Sequence, residues 1–262
     1  MLSLAIPVVS PAHPPFITVA GLEKSYRGRP RTLESTAFAV QEGEFVSLLG
    51  PSGCGKSTLL KLMAGLSAPS AGSIEIGGRT PRQARDTVSF IFQDATLLPW
   101  RTVEANIALA LEFEGLGRAA QGPRIDEVLR LVGLGDVARG YPRQLSGGMK
   151  MRVSIARALV TTPRLLLMDE PFGALDEITR NYLNEELLRL KAKQGWTALF
   201  VTHSVQEAVF LSDRIMVMRA NPGGIAREIA VPFPSPRPAA LRRDPAYLAL
   251  VAAVSEALVE TR

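Results

Sequence analysis

Thiols and imidazoles are scarce in this sequence: it holds one cysteine, Cys54, and two histidines, His13 and His203. A single thiol excludes an intramolecular disulfide and a Cys-rich zinc site, and two histidines leave no His-built metal cluster. Such cysteine usage fits a reducing compartment. Long apolar runs are also missing; the longest reach about ten residues, short of the ~20 that a membrane-spanning helix needs. There is no internal repeat and no low-complexity tract. With 47% hydrophobic and 21% charged residues, the composition excludes a disordered, collagen-like or fibrous chain. Residues 1–22 carry no Asp, Glu, Lys or Arg. Even so, Pro7, Pro11, Pro14 and Pro15 break any continuous helix there, and no basic residue precedes the apolar stretch. A flexible extension over residues 1–15 is expected rather than a signal or an anchor.

What the sequence does have is length and a mild basic excess. Its 262 residues suffice for a sizeable core and one to two domains. A net charge of +5 and a pI near 9.6 permit nucleic acid, anionic lipid or nucleotide as partner.

Strands are expected at Phe16–Ala20, Thr36–Val40, Phe45–Leu49, Ser73–Ile76, Val88–Phe92, Leu165–Asp169, Ala198–Thr202 and Arg214–Met218. Phe45–Leu49 and Leu165–Met168 are almost wholly apolar, as parallel strands buried on both faces must be. Between Thr102 and Val160 the pattern changes to consecutive helices over Val103–Leu111, Ile125–Leu134 and Met149–Val160. That arrangement reads as a helical insertion in an α/β domain. After Met218 come a Pro- and Arg-rich stretch and an amphipathic helix over Ala246–Leu258.

The segment Gly50-Pro51-Ser52-Gly53-Cys54-Gly55-Lys56-Ser57-Thr58 follows the buried strand Phe45–Leu49 and opens a helical pattern at Leu59–Leu66. It fits G-x-x-x-x-G-K-[ST] in the strand-to-helix context that this motif requires. Glycines let successive N–H groups turn inward on phosphate oxygens, and the helix N-terminus adds a favourable dipole. Lys56 would place a positive charge on the terminal phosphates, and the Ser57 hydroxyl would ligate Mg²⁺. Cys54 stands at an unrestricted position of the loop.

Two acids, Asp169 and Glu170, end the apolar strand Leu165–Met168, and strand ends of a parallel sheet gather at the nucleotide edge. Asp169 is expected on Mg²⁺ and Glu170 beside an in-line water. A second anion-binding device follows the helical insertion: in Leu145-Ser146-Gly147-Gly148-Met149, Ser146 can start a helix while Gly147 and Gly148 expose their amides. One nucleotide has no need of two such devices from one chain. The second is expected to serve a nucleotide held by another copy, in a head-to-tail dimer with two composite sites.

With these motifs in order, residues 16–218 resemble the nucleotide-binding subunits of ATP-binding-cassette (ABC) transporters. The resemblance implies a P-loop NTPase (RecA-like) α/β core with an antiparallel β subdomain and a helical subdomain over about residues 96–160. It implies ATP and Mg²⁺ as ligands, with Gly50–Thr58 as Walker A and Asp169–Glu170 as Walker B. Gln93 stands as the Q-loop glutamine, a Mg²⁺ and water ligand, and Gly173–Asp176 as the D-loop. His203 stands as the switch histidine, and Tyr26 where the family stacks an aromatic on adenine. Met151 departs from the glutamine common two positions beyond the signature methionine.

Leu97-Leu98-Pro99-Trp100 just beyond the Q-loop, Pro171–Asp176, and Arg242-Arg243-Asp244-Pro245 resemble the ATPases of nitrate, sulfonate and taurine importers. This implies an ATPase peripheral to the cytoplasmic face of the membrane. Its partners would be a permease and an external solute-binding protein, not nucleic acid. An importer of pyrimidine precursors, an exporter cassette, or a soluble ABC ATPase acting on nucleic acid are the alternatives. No added regulatory β-domain is expected within residues 219–262.

Overall fold

The computed structural model describes residues 14–26, 28, 31–220 and 222–261. The expected N-terminal extension, with His13, lies almost entirely outside them. In chain order the strands are β1 (Ile17–Lys24), β2 (Leu33–Val40), β3 (Phe45–Leu49), β4 (Ala71–Ile76), β5 (Val88–Ile91), β6 (Leu165–Asp169), β7 (Thr197–Val201), β8 (Arg214–Arg219) and β9 (Gly224–Ala230). The α-helices are α1 (Lys56–Met63), α2 (Val103–Phe113), α3 (Arg118–Leu131), α4 (Gly147–Leu159), α5 (Glu177–Gln194), α6 (Val205–Leu211) and α7 (Pro245–Val259).

Strands β2, β1 and β4 form an antiparallel sheet with β1 at its centre. The other sheet runs β5-β6-β7-β3-β8-β9, parallel throughout except for the antiparallel edge strand β9. Every residue of β3, β6 and β7 is buried. Alternate side chains feed two apolar clusters, because successive residues of a strand face opposite ways. Phe45, Leu49, Leu166, Met168, Ala198 and Phe200 join the cluster under the helices α2–α7. Val46, Leu48, Leu165, Leu167, Leu199 and Val201 join the one shared with α1 and the antiparallel sheet. Full burial of such a side chain contributes about 1.5–3 kcal/mol.

The expected strands all form, at similar bounds, and so does the helical stretch between Thr102 and Val160. Four details differ. Helix α1 starts at Lys56 rather than Leu59, because the phosphate-loop residues supply its first turn. Helix α3 runs seven residues ahead of the expected Ile125 start, with Pro123 inside it, and ends before Gly133 at φ +64°. That glycine stops the helix in a conformation other residues avoid. Strand β9 has no counterpart in the sequence reading: as an edge strand its central residues are exposed, so it lacks the apolar signature of a buried one. Finally, α7 is one-sided without being amphipathic: it buries Tyr247, Val254 and Ala257, but turns Leu248 and Val259 to solvent.

Candidate functional site

Register brings the chemistry together. Leu48 pairs with Val201, and Val201 with Asp169, so the ends of β3, β7 and β6 stand in line. Whatever follows these three strands shares one edge of the sheet. That edge receives the Gly50–Thr58 loop from β3, Glu170 from β6, and Thr202 and His203 from β7.

The loop turns through Gly53 at φ +81° and Gly55 at φ +98°. Gly55 is the N-cap of α1, and no side chain caps the helix. The first-turn amides of α1 therefore face an anion site without a competing side chain. Lys56, 5% exposed, donates from Nζ to the carbonyls of Gly50 at 2.8 Å and Pro51 at 2.9 Å, curling over the loop. Cys54 Sγ lies 3.7 Å from the same Nζ, and the thiol is buried against Gly50. Gly50, Gly55 and Cys54 are buried, while Ser52 and Gly53 are exposed.

Ser57 Oγ donates to Asp169 Oδ1 at 2.9 Å across 112 residues of sequence. Burial pushes the Asp169 carboxyl up, with Glu170 adding to the effect; the Ser57 hydrogen bond and Lys61 and Lys56 oppose it. A desolvated carboxylate beside a hydroxyl oxygen is a donor set of the kind a small hard cation takes, so the residues fit Mg²⁺. Glu170 sits at φ +50°, a strained position for a residue with a side chain, and its amide donates to Val201 O at 3.0 Å. Its Oε1 lies 2.7 Å from His203 Nε2.

The remaining expected residues stand on other elements. Gln93 follows β5 and is exposed, as is Tyr26 at the end of β1, with Lys24 Nζ 4.9 Å from its ring centroid. Ser146 caps α4, its Oγ accepting from the Met149 amide at 3.2 Å. Gly147 is exposed, and Gly148 adjoins the D-loop: a Cβ there would stand 3.2 Å from Leu175 and 3.4 Å from Ala174 O. Met151 is 3% exposed and packs in the larger apolar cluster, so its departure from glutamine replaces a polar group with core. Trp100 is 71% exposed.

The model of the ABC transporter family matches residues 33–173, more than half of the chain. The chain belongs to the ABC transporter family. Among curated ABC proteins, the "Nitrate import ATP-binding protein NrtC" of Synechococcus elongatus is 47% identical over 80% of this chain, which spans only 32% of that relative's length. The "Aliphatic sulfonates import ATP-binding protein SsuB" of Bacillus subtilis is 43% identical over 84% of this chain and 87% of its own. A solved ATP-binding cassette, a dimer in a post-hydrolysis state bound to ADP and Pi, is 31% identical. It superposes with a TM-score of 0.77 over 83% of this chain and 99% of its own. Among the described residues no helix is long and apolar enough to cross a membrane.

Some residues at the site escape a reading of the sequence. Thr202 Oγ1 donates to Glu207 at 2.5 Å and accepts from the Ser204 amide at 3.0 Å. Glu207 in turn lies 3.3 Å from Arg180 of α5. The run Ser204-Val205-Gln206-Glu207 carries a capping-box signature, and Ser204 Oγ does accept from the Glu207 amide at 3.3 Å. The glutamate side chain, however, turns inward rather than back to the helix start, which no local pattern announces. Arg157 of α4 likewise clasps Ala95 O and Thr96 O at 3.1 and 3.0 Å, just beyond Gln93.

Proposed function

We propose that this chain is the ATP-hydrolysing subunit of an ABC importer for a small solute, nitrate, sulfonate or taurine-like, moved through a partner permease. The observation that carries the reading is the meeting of Ser57 with Asp169 and of Glu170 with His203 at one sheet edge, beside an uncapped helix N-terminus. In this reading the amides of Gly53–Thr58 and Lys56 bind the phosphates, Tyr26 stacks on adenine, and Ser57, Asp169 and Gln93 hold Mg²⁺. When bound, Mg²⁺ offsets charge on the terminal phosphates. Glu170 orients a water in line with the γ-phosphate, and His203, whose Nε2 lies 2.7 Å from it, contacts the transferring group.

Ser146, Gly147 and Gly148 face a nucleotide held by a second copy, so two ATP molecules are clamped between two chains. The dimeric solved relative supports that arrangement. Trp100 and Leu97 meet a cytoplasmic permease loop, since a large exposed aromatic on a loop suits an interface. The subunit is thereby peripheral to the cytoplasmic face of the membrane, in a complex with an external solute-binding protein. The names of the nitrate and sulfonate relatives support the importer class.

The test is Glu170→Gln, which keeps shape and a hydrogen bond but cannot take a proton. It is expected to bind ATP and dimerise while turnover falls about 10²-fold or more. Turnover at the wild-type rate would remove Glu170 from the mechanism. A thermal-shift panel of nitrate, taurine, alkanesulfonates and pyrimidines on the cognate solute-binding protein tests the solute class; stabilisation by pyrimidines alone would move the chain to another importer group.

A further inference from the structure

Taking the ATP site as proposed, we infer that Arg180 and Glu207 form a positioning pair that ties the D-loop to the turn carrying His203. The D-loop, Gly173–Asp176, leads directly into α5, and Arg180 lies in the first turns of that helix. Its Nη2 donates to Leu175 O, inside the D-loop, at 2.8 Å, and its amide donates to Asp176 O at 2.9 Å. The same side chain reaches Glu207 of α6 through Nε at 3.3 Å. Glu207 is 6% exposed, and its other carboxylate oxygen receives the Thr202 hydroxyl at 2.5 Å. Thr202 is the neighbour of His203, whose ring meets Glu170. Chain contacts thus run without a gap from the D-loop carbonyl to the imidazole.

The pair also forms a partition. A cavity of about 290 Å³ on the Glu170 side is lined by Gly173, Thr202 and His203 together with Arg180, Ser204 and Glu207. A second, of about 270 Å³, lies towards Asn184, Gln206 and Arg242, and the same Arg180, Ser204 and Glu207 line it. Arg180 Nε is buried but not aligned for a hydrogen bond, so its contact with Glu207 is one of charge rather than of direction. A charge contact tolerates rotation of either partner, which suits a joint behind a D-loop whose Ala174 and Leu175 adjoin Gly148 on its other side. Buried Glu207 also needs Arg180, because Glu170 is a second negative group facing it. Withdrawing the arginine releases the His203 turn and leaves two acids facing one another.

The test is a double-mutant cycle on the purified full chain, with Arg180→Met, Glu207→Gln and the double variant assayed for ATPase kinetics and for binding of a fluorescent ATP analogue. Each single variant is expected to lower kcat about tenfold or more, in line with the penalty of an ångström-scale misplacement. KM and nucleotide affinity should stay within about twofold, and the double variant should lose no more than the worse single one. Losses that multiply, losses carried by KM, or wild-type turnover in Arg180→Met would each overturn the pairing. If Glu207→Gln does not fold, Arg180→Lys replaces it: the lysine keeps the charge and should recover part of the turnover lost in Arg180→Met, and equal turnover in the two refutes the inference. Glu170→Gln is run alongside, since its retained turnover would fault the site reading itself, whereas an inactive Glu170→Gln with an additive cycle faults only the Arg180–Glu207 pair.

Discussion

Two glycines of the phosphate loop offer a controlled comparison of backbone strain and crowding. Both stand in the left-handed region, Gly53 at φ +81° and Gly55 at φ +98°. Alanine at either position meets the backbone penalty of about 1–2 kcal/mol. Their surroundings differ. A Cβ at Gly53 would find nothing within 4 Å, whereas one at Gly55 would stand 2.5 Å from Leu33 Cδ2 and 3.2 Å from Thr32 O. Leu33 is fully buried in the cluster beneath the antiparallel sheet, so its methyl cannot move aside freely. Overpacking of that kind adds roughly 1–3 kcal/mol. Gly55→Ala is therefore expected to lose about 2–5 kcal/mol and Gly53→Ala only about 1–2 kcal/mol. Urea unfolding followed by circular dichroism reads the difference, with an unchanged m-value confirming that stability alone has shifted. Because a native domain holds about 5–15 kcal/mol in total, Gly53→Ala should remain folded and Gly55→Ala should show the lower urea midpoint. Equal losses in the two, or a larger loss at Gly53, would refute the reasoning from Leu33.

Arg237 pins the C-terminal segment: it is 3% exposed, and its guanidinium serves the carbonyls of Val209, Phe210 and Phe233. Arg237→Met leaves two buried acceptors and one partly buried acceptor bare and is expected to cost about 2–4 kcal/mol, with faster proteolysis between β9 and α7; unchanged thermal unfolding and protease resistance would contradict this. Burial pushes the Glu207 carboxyl above its ordinary value of 4.5, against the pull of Thr202 and Arg180. Between that value and the raised one, the folded state binds more protons than the unfolded state, so stability falls as pH rises through the window. Glu207→Gln should flatten that part of the pH–stability curve, measured by urea unfolding across the acid range, and a curve of unchanged slope would show that Glu207 does not titrate as its burial implies.

Legibility varied with the range of the interactions involved. The buried strands β3 and β6 were visible because burial on both faces demands an unbroken apolar run, and the phosphate loop because its glycines and lysine serve the local backbone. Strand β9 and the early turns of α3 were not, since an exposed edge and a polar helix start carry no apolar period. The apolar outer face of α7 was misjudged for the converse reason: alanine and leucine report helix but not which side meets the core.

The site divides in the same way. By itself the sequence determined which groups are present and on what kind of element: Lys56 and Ser57 at a helix start, Asp169 and Glu170 at a strand end, Ser146 as a cap. Those assignments depend on neighbours a few residues apart, and local chemistry suffices for them. Only the tertiary structure decided that Ser57 meets Asp169, that His203 meets Glu170, and that Glu207 turns from its own helix start towards Thr202 and Arg180. These contacts depend on which strands lie side by side and in what register, and that order is set by packing the whole sheet at once.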